Sequence, residues 1–160
     1  MNILYPLGNG FDIEKSTLSP VLIGGGVGVP PLIGLARALI KKFIYPQFVM
    51  GFNTQDEVFG LDLLKNLGIV PYIVTLDGSL GYKGLVTDVL DKISFDYIFT
   101  CGPEPMLKAL YNVNVDGQFS FEQRMACGFG GCMGCSCKTK YGYKRICKEG
   151  PVLFKEEILW

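Results

Sequence analysis

Five of the six cysteines in this 160-residue chain fall between Cys127 and Cys147, and the chain contains no histidine. Cys127, Cys132, Cys135 and Cys147 follow C-x4-C-x2-C with a distant fourth cysteine, the plant-type spacing of a [2Fe–2S] centre. No other feature constrains the fold as much, because four thiolates must be brought around two irons by one tightly curled segment. Gly128, Gly130, Gly131 and Gly134 let that segment take positive φ and turn its N–H groups toward anionic sulfur. Cys137 is the thiol left over, since the spacing is complete without it. That preference for Cys135 over Cys137 rests on spacing alone. A four-cysteine zinc site usually uses two separate C-x2-C-like knuckles rather than one fused glycine-rich loop. A disulfide framework suits small secreted domains, not a chain long enough for its own core.

Upstream of the cysteines the chain alternates strand and helix. Val21-Leu22-Ile23 feeds Gly24-Gly25-Gly26-Val27-Gly28-Val29-Pro30-Pro31, after which Leu32, Leu35, Ala36, Leu39 and Phe43 recur with helical spacing. A glycine loop between strand and helix permits close backbone approach, and the helix N-terminus offers free N–H groups to a pyrophosphate. The third glycine of G-x-G-x-x-G is replaced by Pro31, so the usual fingerprint is broken while the helix start is well specified. Further strands are expected at Gln47 to Phe52, Ile69 to Leu76, Phe95 to Thr100 and Gly117 to Phe121. Helices are expected at Gln55 to Leu67, Leu85 to Ile93 and from Pro105. This alternation predicts an α/β fold, a doubly wound parallel sheet followed by a small C-terminal cysteine-rich domain. The expected division is residues 1–17 as a connector, 18–116 as a nucleotide-binding domain and 117–160 as the cluster domain. Tyr141-Gly142 predicts a hairpin that returns Cys147 to the other ligands.

Ligands bind such sheets beyond the carboxyl ends of the strands. That places Gly24, Gly25, Gly26, Gly28 and Pro30 around one crevice with Asn53, Gly102 and Pro103. The segment after the second strand holds Asn53, Asp56 and Glu57 and no cation for a 2′-phosphate, which favours NAD over NADP. Asp56 and Glu57 are equally explained as acids complementing a helix N-terminus. With 15 basic and 15 acidic residues the chain has no net charge to favour nucleic acid or a membrane surface. No apolar run approaches the ~20 residues of a membrane span, and Met1-Asn2-Ile3 does not open a secretory signal. A cytoplasmic setting is expected. The hydrophobic content of 49% suits a permanent partner surface.

Two segments carry a family resemblance. Arg124-Met-Ala-Cys-Gly-Phe-Gly-Gly-Cys-Met-Gly-Cys135 with Tyr143-Lys-Arg-Ile-Cys147-Lys-Glu-Gly-Pro151-Val152 closely resembles the electron-transfer subunit of type B dihydroorotate dehydrogenase. Gly24 to Pro31 and Cys101-Gly102-Pro103-Glu104-Pro105-Met106 resemble the nicotinamide half of the ferredoxin–NADP reductase superfamily, and Pro6 to Phe11 looks like the exit from that family's flavin barrel. The resemblance implies a catalytic partner subunit oxidising dihydroorotate to orotate on FMN in pyrimidine biosynthesis. It also implies a [2Fe–2S] cluster on Cys127, Cys132, Cys135 and Cys147, an FAD, and NAD+ as acceptor. Two catalytic and two electron-transfer subunits would form a heterotetramer. Cys101 would lie near the nicotinamide, the position implied for a role in the reaction. The family's N-terminal barrel, which supplies most FAD contacts, has no counterpart in these residues, so the chain by itself is expected to bind FAD poorly and to be inactive. Two other readings fit: the small subunit of a related NAD(P)H–ferredoxin transhydrogenase or sulfhydrogenase, and a non-catalytic nucleotide-binding module with a structural zinc.

Overall fold

The computed structural model describes residues 7–160; Pro6, and with it the first residue of the segment likened to a barrel exit, lies outside the described residues. Among the described residues, nine strands and three α-helices follow in the order β1 (Pro20–Gly25), α1 (Val29–Ile40), β2 (Gln47–Phe52), α2 (Leu61–Asn66), β3 (Tyr72–Thr75), β4 (Tyr82–Lys83), β5 (Tyr97–Cys101), α3 (Glu104–Tyr111), β6 (Asp116–Ser120), β7 (Ser136–Thr139), β8 (Gly142–Arg145) and β9 (Val152–Phe154). Seven strands form one sheet in the order β4-β3-β2-β1-β5-β6-β9. All pairings are parallel except the last, where β9 runs antiparallel to β6. β7 and β8 make the expected hairpin.

Every residue of β1 and of β5 is buried, as expected of central strands covered on both faces. Side chains alternate between two cores. Leu22, Phe48, Met50 and Phe99 point to the face covered by α1, whose Leu32, Ala36 and Leu39 are fully buried. Val21, Ile23, Val49, Ile98 and Phe119 point to the opposite face, with Val86, Val89, Leu107 and Leu110 above them. The second core also takes in Cys135, Ile146, Cys147, Leu153 and Ile158, so the cysteine-bearing segment is packed onto the sheet.

Two expected helices differ. Residues 55–67 form not one helix but a 3-10 turn at Gln55–Glu57, an extended Val58 and then α2. Gly60 sits at φ +82 in the left-handed region, which ends any continuous α-turn, and Phe59 is thereby turned edge-on to Phe52. Val86–Lys92 winds as a 3-10 helix, with the Asp88 carboxylate accepting from the Leu85 N–H at 2.8 Å.

The sheet extends past the expected 116/117 boundary, since β6 and β9 both belong to it. Residues within the expected connector are also tied down. Asn9 Nδ2 donates to the Val152 carbonyl at 3.1 Å, and the Val152 N–H donates to Asn9 Oδ1 at 3.2 Å. Gln118, fully buried on β6, accepts from the Asp12 N–H and donates to the Asp12 carbonyl and the Tyr97 hydroxyl.

Candidate functional site

The carboxyl ends of β1, β2, β3 and β5 open onto a cavity of about 440 Å³. Gly25 and Gly26 form its floor, Asn53 and Glu57 stand at the β2 side, and Pro103 and Met106 at the β5 side, with Glu122 at the rim. Glu57 is held in place: its carboxylate accepts from both the Asn53 N–H and the Asn53 side-chain amide, at 3.0 and 3.0–3.1 Å. Its acidic group stands where an adenosine ribose would present its diol to a sheet of this kind.

Beyond β6 the chain carries the cysteines, and their thiols sit as two pairs. Cys135 and Cys147 are buried with sulfurs 3.2 Å apart. Cys127 and Cys132 make the second pair, nearer solvent, with the Cys132 thiol close enough to help lower Cys127. Among the described residues, no three His, Cys, Asp or Glu side chains are gathered around a single point.

Backbone N–H groups aim at these sulfurs. The Gly131 N–H donates to Cys127 Sγ at 3.3 Å, the Gly134 N–H to Cys132 Sγ at 3.4 Å and the Cys147 N–H to Cys135 Sγ at 3.4 Å. Such donors favour the thiolate. The amides of Cys132 and Phe129, with the Cys132 thiol and the Gly131 amide, bring the Cys127 thiol down to about 6. Cys135 is also lowered, first by the Cys147 amide, while its partner Cys147 is raised by the hydrogen bond they share, so Cys135 ionises first of the two. Cys137 faces elsewhere: it packs against the second core, its thiol donates to the Lys138 carbonyl at 3.7 Å, and burial pushes it up.

The donor set fits a binuclear cluster. [2Fe–2S] centres take two cysteines on each iron, whereas zinc draws four ligands around one point. Two thiol pairs joined by a loop of inward-facing amides match the former arrangement.

Residues 122–159 match the iron-sulfur cluster binding domain of dihydroorotate dehydrogenase B. Over 99% of its length the chain is 45% identical to the dihydroorotate dehydrogenase B (NAD(+)) electron transfer subunit of Fusobacterium nucleatum. The chain is similar to this family over nearly its whole length. It is 43% identical to the corresponding subunit of a Geobacillus species over the same share of its length, and it spans 65% of the length of each of these two relatives. A solved NADH-dependent reduced ferredoxin-NADP oxidoreductase aligns with the whole chain at a TM-score of 0.82 and 32% identity, over 60% of that structure. The cytochrome b5 reductase domain of Ulva prolifera nitrate reductase shares the fold, at a TM-score of 0.51 and 19% identity over 59% of this chain and 42% of that one.

The expected nucleotide residues separate into two groups. Gly25, Gly26, Asn53 and Pro103 line the cavity. Gly24, Gly28, Pro30 and Gly102 do not: Gly24 is packed beneath Val29, Gly28 against the Cys101 carbonyl and Gly102 against Met106, while Pro30 is exposed on the first turn of α1. Cys101 is buried at the end of β5, paired with Gly24, and does not line the cavity; burial raises its thiol. Leu85, Thr87 and Glu122 line the cavity without having carried any motif. Their signal was topological, since each lies just beyond a strand end or at the entry to the cysteine segment.

Proposed function

We propose that this chain is the NAD- and [2Fe–2S]-bearing part of a dihydroorotate dehydrogenase electron-transfer subunit. In this role it passes electrons between an FMN-containing catalytic subunit, which oxidises dihydroorotate to orotate, and NAD+, with FAD as the intervening carrier. Residues 18–116 serve the nucleotide and 117–160 the cluster. The observation that carries the reading is the pairing of Cys127 with Cys132 and of Cys135 with Cys147 beside a sheet that opens a nucleotide-sized cavity.

Cys127, Cys132, Cys135 and Cys147 would hold the cluster, which when bound supplies one-electron storage and transfer. The chain's own part is to ready the ligands. Its amides pre-stabilise thiolates at Cys127 and Cys135. Burial of Cys135 and Cys147 in the second core excludes water from one half of the site. At the cavity, Gly25 and Gly26 would give a dinucleotide backbone close access, Glu57 would accept from a ribose hydroxyl, and Cys101, buried at the end of β5, would act from behind the lining. The catalytic subunit is the partner, in a two-plus-two heterotetramer. Among the described residues no helix is long and apolar enough to cross a membrane, and a cytoplasmic location fits the free thiols of the site.

Anaerobic reconstitution tests the reading: it should give a red-brown protein with about two irons and two sulfides per chain and a paramagnetic signal on reduction. A colourless protein holding zinc would overturn it. The structural likeness to the NADH-dependent ferredoxin-NADP oxidoreductase favours one second reading, the small subunit of a related transhydrogenase. Co-purification with a dihydroorotate-oxidising subunit, rather than a ferredoxin-linked one, separates the two.

A further inference from the structure

Arg145, at the end of β8, lies beside the cysteine loop but ligates nothing. Its Nη1 donates to the Gly130 carbonyl at 2.6 Å. Its Nε donates to Glu149 Oε2 at 3.0 Å, its Nη2 to Glu149 Oε1, and its own backbone N–H to Glu149 Oε2 at 2.8 Å. The guanidinium is therefore locked by one carboxylate and grips a single loop carbonyl. Arg145 is well suited to this, since its planar fork holds two partners in fixed directions.

The carbonyl it grips is central. The Gly130 C=O and the Gly131 N–H belong to one peptide unit, and that N–H donates to Cys127 Sγ at 3.3 Å. Arg145 thus holds the oxygen of the very peptide whose N–H serves Cys127. The loop leaves no slack here: Gly130 is at φ +89, and a Cβ on it would come 2.8 Å from the Lys148 side chain.

We propose that Arg145, anchored by Glu149, is a positioning residue that aims the Gly131 amide at Cys127 and thereby sets the reduction potential of the cluster. The inference rests on the four-cysteine reading above. Hydrogen bonds to cluster sulfurs and nearby positive charge stabilise the more negative, reduced state and raise the potential. Losing the grip lowers it.

Charge and grip make opposite predictions at Glu149. If Arg145 acted only as a charge, Glu149→Gln would remove a neighbouring negative charge and raise the potential. If Arg145 acts by positioning, the same change replaces one acceptor with an amide that cannot accept from Nη2, frees the fork and lowers the potential. The test is redox titration of the reconstituted 160-residue chain, followed by visible absorption and electron paramagnetic resonance. Wild-type protein lacking two irons and two sulfides would sink the site assignment itself, separately from this inference.

With the cluster present, Glu149→Gln and Arg145→Lys should both shift the midpoint to more negative values. The expected size is about a tenfold fall in the reduced-to-oxidised ratio at fixed potential, or about 59 mV for one electron, with altered g-values. Arg145→Gln should shift it furthest. If that variant assembles no cluster, the other two still decide. A raised or unchanged potential in Glu149→Gln overturns the proposal, and so does wild-type behaviour of Arg145→Lys.

Discussion

The glycine loop after β1 predicts two substitutions with opposite signatures. A Cβ built on Gly28 comes 2.0 Å from the Cys101 carbonyl oxygen, 2.4 Å from its carbon and 2.8 Å from the Gly102 nitrogen. All three are backbone atoms at the end of a fully buried strand, so no rotamer change relieves the contact and β5 must move by more than an ångström. Overpacking typically costs 1–3 kcal/mol, and a clash with backbone belongs at the upper end, about 3 kcal/mol. For a domain of this size that is about 6–12 °C in Tm. Gly26, by contrast, faces the cavity, and a Cβ there meets no atom within 4 Å. Its φ of +51 leaves only the left-handed penalty, about 1 kcal/mol, or about 2–4 °C. Gly26→Ala should therefore melt close to wild type yet bind NADH more weakly, because its methyl projects into the cavity. Gly28→Ala should be the reverse, with its loss in stability. Thermal unfolding by circular dichroism and fluorescence titration with NADH separate the two effects. Equal melting temperatures for the two variants would refute the assignment of Gly28 to packing and Gly26 to the ligand.

Four further outcomes are expected. Cys137→Ser should retain the cluster on reconstitution and Cys132→Ser should lose it, read from iron content and visible absorption; the opposite result would move the third ligand. Glu57→Arg should shift preference from NADH toward NADPH by replacing a diol acceptor with a phosphate partner, and unchanged relative affinities in titrations would remove Glu57 from the site. Trp160→Ala should cost about 2 kcal/mol in chemical denaturation, roughly half the value for a fully buried aromatic, because Trp160 is 43% exposed yet packs on Tyr111 and Phe121 at 5.4 Å each. Burial raises the Tyr97 phenol above its usual 10. The folded chain thus holds the neutral form: the associated stability is complete below pH 10 and is lost as pH rises through the raised value. Tyr97→Phe should flatten that alkaline decline, and an unaltered alkaline profile would count against it.

The βα alternation was legible because β1, β2 and β5 are buried on both faces and read as short continuous apolar runs. The strand Gln47–Phe52 has the bounds that its residues suggest. What was not legible was local. Gly60 at φ +82 breaks a stretch whose Val58, Leu61 and Leu64 spacing reads as one helix, because periodicity carries no information on the sign of φ. β4 is two exposed residues whose only reason to be extended is the free edge of β3. The glycine run named the right neighbourhood for a nucleotide without separating its members. Gly25 and Gly26 reach the cavity while Gly24 and Gly28 fill space under α1 and against β5, and only the register of Gly24 opposite Cys101 distinguishes these roles. The cysteine spacing pointed to four thiols but could not show their pairing, which depends on the hairpin that carries Cys147 back to Cys135.

The cysteine segment is tied to the sheet rather than hanging from it as an appendage. β9 pairs with β6, Thr139 bridges to Ile158, and the Tyr111 hydroxyl donates to the Ile158 carbonyl at 3.4 Å. Lys155 Nζ caps the carbonyls of Val113 and Val115 just beyond α3. These ties press Cys135, Ile146 and Cys147 into the same core as Leu107 and Leu110 of α3, while Met106 of the same helix lines the cavity and packs against that core. Met106 thus ties the lining of the cavity to the core that also holds Cys135 and Cys147. Loosening the tail is thus expected to disturb the buried Cys135–Cys147 pair before the Cys127–Cys132 pair, which depends on its own loop amides.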